Sequence, residues 1–175
     1  ELDRYLGEGH ETAAWEVRTI LAELELRAGR WAHAVDAARE AQEVAEEAGW
    51  TEVLGQILAT KASVEAAMGE EKAAREDGLR ALQLSEQMGA QWDEIQARSA
   101  LGFLELSLRD HAAAHAWLDP LVSLTEEMGV REPGAFPFIP DEIEALVGLG
   151  ELEAAEMLTD RLEEQGRALD RGIAL

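Results

Sequence analysis

The sequence predicts an all-α protein, an array of four antiparallel helix pairs that repeats with a period of about 40 residues. Three observations carry this. Gly49, Gly89 and Gly129 recur at intervals of 40. Halfway between them stand Gly29-Arg30, Gly69-Glu70, Arg109-Asp110 and Gly150-Glu151, spaced by 40, 40 and 41. The stretches between these marks are rich in Ala, Leu, Glu, Gln and Arg, with no proline before Pro120. A regular period of this size signals stacked helical hairpins rather than one closed core.

The pattern predicts helices near 11–28, 31–48, 51–68, 71–88, 91–108, 111–128, 135–149 and 152–169. In the first helices of the pairs, Ile20, Leu21, Leu24 and Ala28 read as one apolar stripe, and Leu101, Leu104, Leu106 and Leu108 as its counterpart. In the second helices Leu82, Leu84 and Met88 correspond to Val122, Leu124 and Met128. Small residues share matching slots: Ala22, Ala62 and Gly102 in first helices, and Ala34, Ala74, Ala114 and Ala155 in second helices. Such slots let two helices approach closely. The fourth pair differs, because Pro133, Pro137 and Pro140 fall where its first helix should begin. Either a loop leads into a shortened helix with Pro140 in its first turn, or a kinked segment exposes Phe136 and Phe138 as a hinge or contact.

Residues 1–175 read as one helical-repeat domain cut from a longer array, with repeats at about 11–49, 51–89, 91–129 and 131–170. Glu1-Leu2-Asp3-Arg4-Tyr5-Leu6 reads as the end of a helix, and Leu169 to Leu175 as a turn opening another. Apolar residues at these ends (Tyr5, Leu6, Leu162, Leu169, Ile173) suggest weak homo-oligomers formed through uncovered array ends.

Composition narrows the function. Fifteen basic residues against 37 acidic ones give a net charge of −22, which repels phosphate backbones and anionic membrane surfaces. No apolar run approaches the ~20 residues that span a bilayer, and no leader-like segment opens the sequence. The absence of cysteine removes disulfides and thiolate metal sites and fits a cytoplasmic setting.

A small residue in the first helix, a turn, then alanine early in the second resembles the tetratricopeptide family. The period of 40 exceeds that family's usual repeat, and Glu25, Glu65 and Glu105 stand where it carries an aromatic, so the likeness is to a long-helix, divergent branch. A second likeness lies in Leu101-Gly102-Phe103-Leu104-Glu105-Leu106, continuing through Gly129-Val130-Arg131-Glu132-Pro133-Gly134 to Pro140-Asp141-Glu142-Ile143-Glu144-Ala145-Leu146-Val147. This run looks like the repeat region of large LuxR-type transcriptional regulators, the signal-transduction ATPases related to the maltose-regulon activator. It covers roughly residues 90–171; the first half shares only the period. The resemblance implies a tetratricopeptide-like superhelix serving as the sensor or interaction region of a cytoplasmic bacterial regulator. In that family an ATPase module precedes the repeats and a helix-turn-helix domain follows them. The other reading is a stand-alone adaptor that binds a peptide segment of a partner protein.

Candidate chemistry is sparse. Neither GxxxxGK[ST], GxGxxG nor GxSxG occurs, so no phosphate cradle or nucleophile elbow is expected and the protein reads as a non-enzyme without a cofactor. His111 and His115 lie four apart on one helix face, with Asp119 one turn on, a spacing that can chelate a transition metal. No third histidine and no intervening glutamate accompany them, so the expectation is helix packing and no metal. Paired acids such as Glu46-Glu47, Glu70-Glu71, Glu126-Glu127 and Glu163-Glu164 read as solvated faces. Among the tryptophans, Trp31 and Trp117 are expected to pack between repeats, and Trp50 and Trp92 to be partly exposed at turns.

In a right-handed superhelix the first helix of each pair lines the concave side. The face predicted there is Glu16, Thr19, Glu23 and Arg27, then Gln56, Ala59 and Ser63, then Gln96, Ser99 and Phe103. It suits a protein, peptide or small-molecule effector, or is a solvated groove without a ligand. No nucleic acid or membrane contact is expected of these residues.

Overall fold

The computed structural model describes residues 14–130, 132, 134–135 and 137–168. They form eight α-helices and no strand: α1 Ala14–Arg27, α2 Trp31–Ala48, α3 Leu54–Met68, α4 Glu71–Met88, α5 Gln91–Ser107, α6 His111–Glu127, α7 Ile139–Leu149 and α8 Leu152–Ala168. A short 3-10 turn, Thr51–Val53, leads into α3. No described helix is long and apolar enough to cross a membrane.

The 40-residue period is written into the backbone at the helix ends. Gly29, Gly49, Gly69, Gly89, Gly129 and Gly150 adopt positive φ, as does Arg109 at 63°. The left-handed residue turns the chain back so that the following amide can reach a carbonyl the helix leaves unpaired. Arg30 N–H donates to Glu25 O, Glu70 to Glu65, Asp110 to Glu105 and Glu151 to Leu146, all at 2.9 Å. The second helices close alike, with Trp50, Ala90 and Val130 donating to Ala45, Ser85 and Thr125. At Arg109 an ordinary side chain occupies the slot that glycine fills elsewhere.

The chain divides into two compact units, residues 1–100 and 101–175. In the first, α1 packs on α2 and α3, α2 on α3, and α3 on α4. The α1–α2 contact is made by Ala22 against Ala37 and Ala38, so these helix axes come close. α3 is covered on most sides, burying Leu54, Ile57, Leu58, Ala59, Ala62, Val64 and Ala66, as its mainly apolar sequence allows. In the second unit α6 packs on α7 and α7 on α8, with Leu106, Ala114 and Ala145 in one cluster. Gly102 sits beneath Leu118, whose side chain would lie 2.4 Å from any added Cβ. The small-residue slots Ala34, Ala74, Ala114 and Ala155 are all buried.

Several expectations need correction. Ile20, Leu21, Leu24 and Ala28 are exposed; α1 buries Ala14, Thr19 and Ala22 instead, because close packing on α2 runs through alanines. Leu108 is exposed, whereas Leu101, Leu104 and Leu106 are buried as expected. In the second helices Leu82 is buried but Met88 is exposed. Trp31 is exposed rather than packed between repeats. α7 starts at Ile139 rather than 135, with Pro140 in its first turn, where a missing N–H costs nothing. Phe138 is only 2% exposed, so it is a core residue and not a contact point. Phe136 lies outside the described residues, as do Tyr5, Leu6, Leu169 and Ile173; Leu162 is half-buried. Pro120 stands within α6 on its exposed side, where water reaches the carbonyl of Ala116 that the proline cannot bond.

Candidate functional site

Two groups of side chains stand out, one in each unit. In the first unit the helices α1, α3 and α5 turn polar residues toward one another. Glu23 Oε1 accepts from Gln96 Nε2 at 3.3 Å and from Thr60 Oγ1 at 3.4 Å, joining residues 73 apart in sequence. Of the predicted concave face, Glu16 and Arg27 are exposed, while Glu23, Gln56, Ser63, Gln96 and Ser99 are half-buried. The Ser63 and Ser99 hydroxyls donate back to Ala59 O and Ile95 O of their own helices, which leaves their oxygens as acceptors. Thr19 is 1% exposed and donates to Trp15 O at 2.8 Å, and Ala59 is buried, so neither can touch a ligand. Phe103 is partly exposed, in the second unit. Thr60 was not anticipated.

Next to this face, Lys61 on α3 holds two carboxylates, Asp77 of α4 at 2.6 Å and Glu65 one turn along at 3.6 Å. Burial pushes the Glu65 carboxyl up to about 7; Lys61 opposes the shift and Asp77 adds to it. Its Oε2 is buried and has no hydrogen-bond partner.

The second unit brings together α6 and the first turn of α7. His115 Nδ1 pairs with Glu142 Oε1 at 2.6 Å. One ligand atom each of His115, Asp119 and Glu142 lies within 4.8 Å of the others. Glu142 is 1% exposed, and its second oxygen, Oε2, is buried with no partner. Leaving a buried acceptor unmet costs about 1–3 kcal/mol. Burial raises the Glu142 pKa and Asp119 adds to that, while His115 holds it back. Asp119 is exposed and His115 half-buried, so the cluster opens to solvent on one side. His111, one turn before His115, has another role. Its ring covers Gly148, where any Cβ would meet the imidazole at 2.3 Å.

The sequence pattern places His111, His115 and Asp119 on one face, but it does not single out Glu142. A signal was there. Glu142 precedes Gly150 by eight residues, as Leu101 precedes Arg109, so a carboxylate stands where the preceding repeat buries a leucine. A buried position that breaks its own repeat pattern points to a site.

A scan against protein-family models and a search of curated proteins return no match for this chain.

Proposed function

We propose that the chain is a helical-repeat binding scaffold, a tetratricopeptide-like superhelix whose first helices line a groove for a partner protein, peptide or small effector. The observation that carries this reading is the bridge from Glu23 to Thr60 and Gln96. Side chains from the first helices of three successive pairs converge on one face, as the inner surface of a curved array requires. The repeated caps at residues 29, 69, 109 and 150 support a reading as successive helix pairs of like design. The acidic balance of the chain favours a cationic ligand. The resemblance of residues 90–171 to LuxR-type regulators supports a place as the sensor or interaction region of a transcriptional regulator.

Two observations test this. The reading frame around the segment should encode a nucleotide-binding ATPase module before it and a helix-turn-helix after it; a frame with neither would favour a stand-alone adaptor. In addition, an array of short lysine- and arginine-containing peptides should yield binders that Glu16→Lys and Gln56→Ala weaken. Binding that these substitutions leave untouched would remove the groove from the reading.

A further inference from the structure

The geometry points to a binding site for a first-row divalent transition metal, zinc(II) by preference, formed by His115 and Asp119 of α6 and Glu142 of α7. This proposal is independent of the scaffold reading. It reverses the expectation of no metal drawn from the histidine spacing, and the reason is Glu142. The spacing of His115 and Asp119 supplies two ligands on one helix face, and α7 delivers the missing third from another helix.

Three observations converge. The ligand atoms already lie within 4.8 Å of one another, and bonds of about 2.0–2.2 Å to a shared metal would set them about 3.3–3.6 Å apart, within reach of side-chain adjustment. The Glu142 carboxylate is buried, and while its Oε1 meets His115 its Oε2 has nothing to bond, so a ligand residue of the cluster carries an acceptor without a donor. A cation would satisfy it. The cluster also opens to solvent through Asp119, which provides an entry path and leaves the remaining coordination positions to water.

The donor set selects the metal. One imidazole nitrogen with two carboxylates suits zinc, cobalt or manganese, whereas calcium and magnesium prefer all-oxygen shells. On metal binding the hydrogen bond between His115 and Glu142 is exchanged for metal bonds from both side chains. His111 stays outside the set, since its ring is spent covering Gly148.

The discriminating problem is the charge of −22, which attracts any divalent cation weakly. The experiment is therefore a titration of the metal-free protein with Co²⁺ and with Zn²⁺ in excess Mg²⁺, at about 150 mM salt, where screening acts beyond about 8 Å. Calorimetry gives stoichiometry, and the visible spectrum of bound Co²⁺ reports nitrogen and oxygen coordination. One saturable equivalent of Co²⁺ or of Zn²⁺ is expected despite the excess Mg²⁺, with a metal-dependent rise in Tm. His115→Gln and Asp119→Asn should each weaken binding by about tenfold or more. Glu142→Gln tests the third ligand, and where that buried change unfolds the protein, the exposed Asp119→Asn carries the test. Absence of a saturable site against Mg²⁺, or Asp119→Asn and His115→Gln proteins that bind as tightly as the parent, would overturn the assignment.

Discussion

Arg109 shows how one residue can depart from a repeated rule and remain in place. Six glycines at equivalent turns adopt positive φ, and Arg109 does the same at 63°. For a residue with a Cβ this conformation costs about 1–2 kcal/mol. Glycine avoids that strain but loses about 0.5–1 kcal/mol more in backbone entropy on folding. The strain is the larger of the two, so Arg109→Gly should stabilise the protein by up to about 1 kcal/mol, measured by urea denaturation. Gly69→Ala is the reciprocal change. Nothing lies within 4 Å of the added methyl, so no clash contributes, and strain less the entropy gained should leave a loss of up to about 1 kcal/mol. Equal stability of all three proteins would mean that the turn relaxes around any residue. Glu142 breaks its repeat in the opposite way, by charge rather than by backbone, and the chain offers Asp119 and His115 beside it.

Between elements, α3 and α4 carry an acidic pair around a single lysine, and its protonation sets a pH dependence. The Glu65 carboxyl is raised from 4.5 to about 7 in the folded protein, mainly by burial. A carboxyl raised by folding favours the native state when protonated, so its contribution is fully present below about 4.5 and is lost as pH climbs through about 7. Relative to Glu65→Gln, the parent should therefore lose Tm between these limits and level off above them. Lys61 keeps its 2.6 Å contact with Asp77 in the variant, which is why the glutamine should be tolerated. A Tm difference that does not change with pH would show Glu65 ionised throughout. At this same scale, much of the fold was legible in the sequence. Helix ends at 29–30, 69–70, 109–110 and 150–151 follow from local turn chemistry, which needs no knowledge of neighbours. The buried face of α1 does not follow from hydrophobicity, because its close helix contact uses Ala22 while the larger Ile20, Leu21 and Leu24 stay exposed. Of the sites, Glu23 and Gln96 were placed on one face from their positions in the first helices. Thr60 and Glu142 escaped because their partners belong to other helices, and a one-dimensional period cannot say which side chains meet.

For the whole molecule the decisive quantity is charge. Thirty-seven acidic residues face 15 basic ones, so like-charge repulsion acts across the surface at low salt. Ion pairs work against it: Arg18 with Glu40, Arg98 with Glu94 and Glu86, and Arg161 with Glu126. Salt weakens both terms, and the sign of its effect tells which is larger. Exposed pairs contribute about 0–1 kcal/mol each, and every basic side chain that pairs leaves acids elsewhere without one. Repulsion among the excess carboxylates extends over about 30 Å at 0.01 M salt and about 10 Å at 0.1 M, so it is cut back over just this range. The expected result is a Tm that rises from about 0.01 to 0.1 M NaCl, followed by circular dichroism at constant pH. The same screening lets copies approach, and exposed apolar side chains such as Ile20, Leu24 and Trp31 give them surface to bury. Sedimentation should then show a larger associated fraction at the higher salt. A Tm that falls with added salt would instead mean that the surface ion pairs form a network stronger than the repulsion around them.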